Sequence, residues 1–189
     1  MAKGSNFERE VCKQLSLWWS KDKRDDIFWR TAGSGAMAKT RSKSNRKTFG
    51  QYGDIQATDP IGQPLIDLVS IELKRGYSKS TFADLIDRPK NAAEQMYESF
   101  IHQAIQDYIN SSAQSWWLIV KRDRREPIII TPFSFSIKLR NAGSLIRRTS
   151  PSFFLYTTFH NNSNHKLFGT TLDNFLNEVT PKHIIKIGE

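Results

Sequence analysis

Gly53-Asp54-Ile55-Gln56-Ala57 and Val69-Ser70-Ile71-Glu72-Leu73-Lys74-Arg75, joined through Asp59-Pro60-Ile61-Gly62, decide how this chain reads. Both runs look like strands, at about 52–58 and 65–75. The linker places Asp, Pro and Gly at the first, second and fourth positions of a type I turn. Side chains alternate faces along a strand, so Glu72 and Lys74 point one way while Leu73 points into the core. A hairpin then brings Asp54 beside Glu72. Two carboxylates and an amine on one sheet edge suit a divalent cation held against a phosphate. Asp54, Glu72 and the outward carbonyl of Leu73 are the candidate ligands. Lys74 is the candidate to orient or deprotonate a water, or to stabilise the pentacovalent phosphate. A bare E-x-K is common, and a solvated strand edge with a Glu-Lys pair is the plain alternative.

Outward from this pair, Phe7, Val11, Leu15 and Trp18 recur at helical spacing, which predicts a helix over about 5–19. Ser5 followed by Glu8 fits a capping box. Glu8 also shares a face with Cys12, Leu15 and Trp19, so it can lean over the sheet edge as a further ligand. Residues 27–31 read as a short strand and 32–36 as a turn. Residues 37–50 are different: Lys39, Arg41, Lys43, Arg46 and Lys47 are interleaved with Ser, Thr and Asn, and no acid lies between Asp26 and Asp54. That stretch is expected to be mobile without a ligand and to contact nucleic-acid phosphates.

A second helix is expected from Arg88-Pro89 to about Asn110, with Ala92, Met96, Phe100, Ala104 and Tyr108 along one side. The nearly all-apolar run Ser115–Lys121 predicts a central strand, and 127–131 another. Beyond Pro132 a strand over 153–159 and a short helix over 172–179 are expected. The three early strands are read as an antiparallel meander, and the second helix as a crossover to the apolar strand. The domain reading is a core over 1–132 with a C-terminal extension, 133–189, packed on the same domain.

Composition narrows the classes. The 189 residues carry a formal net charge of +9, which favours a polyanionic partner, and nucleic acid is the usual one. With 38% hydrophobic residues, including 12 Phe and 5 Trp, a sizeable core is available. No apolar run approaches the roughly 18 residues of a spanning helix, so no membrane partner is expected and a cytoplasmic location is. The lone Cys12 excludes internal disulfides and multi-cysteine zinc sites. Gly33-Ser34-Gly35 precedes no G-K-[ST], so it is no Walker loop, and no small-molecule cofactor is expected. Trp18-Trp19 and Trp116-Trp117 read as core. His160 and His165 lack the spacing and neighbours of a zinc or HNH site.

In order along the chain, Lys3-Gly4-Ser5-Asn6-Phe7-Glu8-Arg9-Glu10, Arg30-Thr31-Ala32-Gly33-Ser34, Gly53-Asp54-Ile55 and Ile71-Glu72-Leu73-Lys74 resemble the motif series of the PD-(D/E)XK nucleases. The likeness is to archaeal-type Holliday junction resolvases, with similar sequences among phage-encoded nucleases. It spans roughly residues 3–121 and is specific as an ordered series. It implies an α/β, restriction-endonuclease-like core of αβββαβ order with a mixed sheet flanked by helices. It also implies an active site of Glu8, Asp54, Glu72 and Lys74, with Arg30 and Ser34 near the scissile phosphate. Mg²⁺, replaceable by Mn²⁺, is the implied cofactor, and a homodimer acting on DNA, branched DNA included, the implied assembly. A phage origin would place it in the host cytoplasm or nucleoid. A helix glutamine often assists in this superfamily, and both Gln95 and Gln103 are candidates. A non-catalytic DNA-binding or assembly protein on the same fold is the alternative, and a nuclease for linear ends or RNA a third reading.

Overall fold

In the computed structural model, residues 3–31, 52–87, 93–146 and 151–189 are described. Helix α1 (Lys3–Ser20) buries Phe7, Val11, Cys12 and Leu15 against the sheet. It begins at Lys3, two residues ahead of the expected start near Ser5. Ser16 ties the helix to the following strand, because its hydroxyl donates to Cys12 O and accepts from Phe28 N.

Strands β1 (Phe28–Arg30) and β2 (Ile55–Ala57) form a two-stranded antiparallel ladder that pairs Arg30 with Ile55. The expected hairpin from β2 to the next strand is replaced by helical turns. Gly62 N–H does close on Asp59 O at 3.0 Å, but the chain continues through a 3-10 turn (Pro60–Gly62) into helix α2 (Gln63–Leu68). Residues 65–68, read from the sequence as strand, are thus helical. Pro64 near the helix start and the burial of Leu65 and Leu68 explain this, since those leucines are spaced for a helix face rather than a strand.

Strand β3 (Val69–Arg75) runs parallel to β4 (Ser115–Lys121), through helix α3 (Met96–Asn110), which is the expected crossover. Helix α3 starts later than expected: residues 93–95 are not helical, and 88–92 lie outside the described residues. Strand β5 (Ile128–Pro132) pairs antiparallel with β4. After helix α4 (Phe133–Ala142), strands β6 (Ser152–Thr158) and β7 (Asn164–Thr171) complete a five-stranded mixed sheet of order β3-β4-β5-β7-β6. Helices α5 (Leu172–Glu178) and α6 (Pro181–Gly188) follow. Strand β4 is interior, as its apolar run implies. The early meander is corrected: β3 belongs to the large sheet and not to the β1–β2 ladder.

The sheet separates two cores. On one face, Val69, Ile71, Leu73, Trp117 and Ile119 pack with α1 and with Phe135, Leu139, Phe175 and Ile184 from the C-terminal helices. On the other, Trp116, Leu118 and Val120 pack with Tyr97, Phe100, Ile101 and Ala104 of α3. Both tryptophans of the 116–117 pair are buried, as is Trp19. This α/β architecture, a mixed sheet flanked by helices, matches a restriction-endonuclease-like fold. No helix among the described residues is long and apolar enough to cross a membrane.

Candidate active site

Strand alternation acts first. Val69, Ile71 and Leu73 face α1, which leaves Ser70, Glu72 and Lys74 facing α3. Glu72 is 2% exposed at its side chain and Lys74 17%. Lys74 Nζ donates to Glu72 Oε1 at 2.6 Å and to Gln103 Oε1 at 2.9 Å. Gln103 Nε2 in turn donates to Glu72 Oε1 at 2.5 Å. This triangle fixes the amide orientation, because a flipped Gln103 would set its NH₂ against the ammonium. Phe100 supports the same amine, with Lys74 Nζ 5.6 Å from the ring centroid.

Asp54 arrives at the outer edge of β3 by backbone geometry. Gly53 sits at φ +79°, and a Cβ there would lie 2.8 Å from Ile71 O, so only glycine lets the chain approach β3 this closely. Asp54 N–H donates to Ile71 O at 2.7 Å, and Asp54 Oδ2 accepts from Leu73 N–H at 2.8 Å. Thr31 holds the other side: its N–H donates to Asp54 O and its hydroxyl to Gly53 O. A strand residue's N–H and C=O point to the same edge, so the Leu73 carbonyl faces the Asp54 side as well.

Glu8 and Arg30 complete the rim. Their ion pair spans 3.6 Å, and the Glu8 charge acts on Asp54. The chain therefore brings Glu8, Asp54, Glu72, Leu73, Lys74 and Arg30 together. Ser34, Lys39, Arg41, Lys43, Arg46 and Lys47 lie outside the described residues.

Gln103 is the helix glutamine at this site. Gln95 is not: it precedes α3, its N–H bonded to Glu98 and its side chain to Ala93 O. Sequence reasoning missed Asp107, one turn beyond Gln103, which is 3% exposed and adds its charge to the environment of Asp54 and Glu72. Its i+4 spacing from Gln103 was the available signal.

Electrostatics set the donor chemistry. Burial pushes the Asp54 carboxyl up to about 6, against the bond from Leu73 N–H and the Lys74 charge. Burial, then the Asp54 charge, pushes Glu72 up to about 8 despite Lys74. Crowded buried carboxylates of this kind are relieved by a cation. Among the described residues no three acidic, cysteine or imidazole side chains form a group that could hold a metal ion, so the candidate donors at this edge are two carboxylates and a carbonyl. That set suits Mg²⁺, which commonly takes one or two carboxylates and keeps waters or phosphate oxygens for the rest. His102 makes ring contacts with His160 and with His165, but the three form no such group either. Burial pushes the Cys12 thiol up to about 12, which makes it inert.

The mixed sheet and the D…E-x-K edge are those of a PD-(D/E)XK protein. The family described as "Phage putative PDDEXK endonuclease" matches residues 1–186, and the chain belongs to it. Nucleases of this type typically use divalent metals. No curated protein and no solved structure matches the chain.

Proposed function

We propose that the protein is a Mg²⁺-dependent endodeoxyribonuclease that hydrolyses phosphodiester bonds at the outer edge of β3. One observation carries the reading: Asp54 closes on the Leu73 backbone while Glu72, Lys74 and Gln103 bond to one another a residue away. Asp54, Glu72 and the Leu73 carbonyl would hold the ion, with Glu8 behind Asp54. When bound, the ion acidifies a water and neutralises phosphate charge. Lys74 has two of its three N–H donors on Glu72 and Gln103, which leaves the third for a phosphate oxygen. Its role is therefore to stabilise charge developing on the phosphate. Gln103 positions that amine. Arg30 approaches the phosphate from the β1 side, and Lys39, Arg41, Lys43, Arg46 and Lys47 are taken as further phosphate contacts on the strength of their charge alone.

The test is incubation with plasmid DNA and Mg²⁺ or Mn²⁺. Nicking or linearisation is expected, and Glu72→Ala or Lys74→Ala should abolish it. No cleavage by the wild type, or cleavage that survives both substitutions, defeats the reading. The resolvase-like part, a homodimer acting on branched DNA, rests on motif order alone. Cleavage of a four-way junction against a linear duplex of the same sequence decides it. Residues 133–189 are taken as part of the same domain, supported by their share of the core around α1.

A further inference from the structure

We infer that the turn joining β4 to β5, with Arg122, Arg124 and Arg125, is a phosphate-binding element that grips DNA beside the scissile bond. The inference rests on the nuclease reading for its partner. Register supplies the position. Lys74 pairs with Val120 and Arg75 with Lys121, so the turn leaves β4 at the same sheet end as the catalytic amine. Two residues of strand place Arg122 about 7 Å beyond the level of Lys74. Alternation puts Arg122 on the same face as Leu118 and Val120, which is the α3 face that Lys74 also uses. The influence of the Arg122 charge on the Tyr97 phenol agrees, since Tyr97 lies at the start of α3. From the opposite side, Lys121 bonds to Glu10 and lies 5.6 Å from the Phe7 ring, which brings the Glu8 end of α1 to this same strand end. Ligands of open α/β sheets bind outside the carboxyl ends of the strands, and this is that end of β3 and β4.

The turn is built to present charge. Arg125 N–H closes on Arg122 O at 3.2 Å, and Arg124 adopts φ +59°, so three guanidinium groups are gathered on one tight reversal. Arg124 and Arg125 are exposed and Arg122 is half-buried. Lys13, Arg24, Arg30, Lys74 and Lys121 are all in ion pairs. Arg122, Arg124 and Arg125 form none among the described residues, although Asp123 and Glu126 flank them in sequence. Unpaired guanidinium groups bind phosphates and release counterions.

The test uses the full chain in EDTA, where cleavage does not intervene, and a fluorescent duplex of random sequence titrated at several NaCl concentrations. Replacing all three arginines by serine is expected to lower the slope of log K against log salt by roughly 2–3, at about 0.9 per phosphate contact. The triple lysine variant should keep most of the slope, and all variants should melt with the wild type. Lys182→Ser with Lys186→Ser, on α6 at the opposite end of the sheet, should change nothing. An unchanged slope in the triple serine variant, an equal fall in the α6 variant, or no DNA binding by the wild type overturns the inference. Cleavage by the wild type with an unchanged slope in the triple serine variant defeats this inference alone, whereas a lowered slope with no cleavage in Mg²⁺ defeats the nuclease reading alone.

Discussion

Glu72→Gln is expected to stabilise the metal-free protein while it abolishes cleavage. Folding moves the Glu72 carboxyl from its ordinary 4.5 to about 8, chiefly by burial and then by the Asp54 charge. The native state therefore holds a proton that the unfolded chain has released, and stability falls as pH rises between those two values. At pH 7 the loss accumulates over about 2.5 pH units, or roughly 3 kcal/mol. Glutamine has no proton to lose and still accepts from Lys74 with its carbonyl. The variant should thus melt roughly 6–12 °C above the wild type at pH 7 in EDTA, at about 2–4 °C per kcal/mol for a chain of this size. The gap should close toward pH 4.5. The assay is thermal denaturation from pH 4.5 to 8, with and without Mg²⁺, and the ion should narrow the gap by stabilising only the wild type. A variant no more stable than wild type at pH 7, or a gap that ignores pH, would refute this account of the site as strained by buried charge.

Further expectations concern single contacts. Mg²⁺ at a hundred times its dissociation constant should raise wild-type stability by about 2.7 kcal/mol, and Asp54→Asn should remove that rise in a melting assay. Gly53→Ala forces a Cβ against Ile71 O at positive φ and should cost about 1–3 kcal/mol in denaturant unfolding, with loss of cleavage as Asp54 is displaced. Gln103→Ala should lower kcat roughly a hundredfold with little change in KM, by releasing Lys74 and Glu72 from their common geometry, while Gln95→Ala leaves kcat unchanged. Steady-state nicking rates that fall alike in both glutamine variants would remove Gln103 from the site.

Much of this site was legible because its physics is local. Period-two alternation alone sets Glu72 and Lys74 on one face and Leu73 on the other, whatever the strand pairs with. The apolar run 115–121 likewise marked an interior strand. The C-terminal part gave a weaker signal. Strand β7 and helices α4 and α6 were not foreseen, because Asn164–Thr171 acquires its buried half only by insertion between β5 and β6. The start of β3 falls at Val69 and not at 65, because Leu65 and Leu68 bury one helix face ahead of it, a three-residue spacing too short to stand out beside the apolar strand that follows.

What the sequence by itself determined is the chemical inventory and its order: acids, an amine and arginines on short elements whose faces follow from backbone periodicity. Tertiary structure decided which of them meet. Asp54 reaches Leu73 because Gly53 permits the close approach and Thr31 clamps it, and not through a hairpin. Gln103 was selected over Gln95 by where the crossover helix settles on the sheet. Proximity between residues far apart in the chain follows from packing of the two cores, which no local pattern encodes.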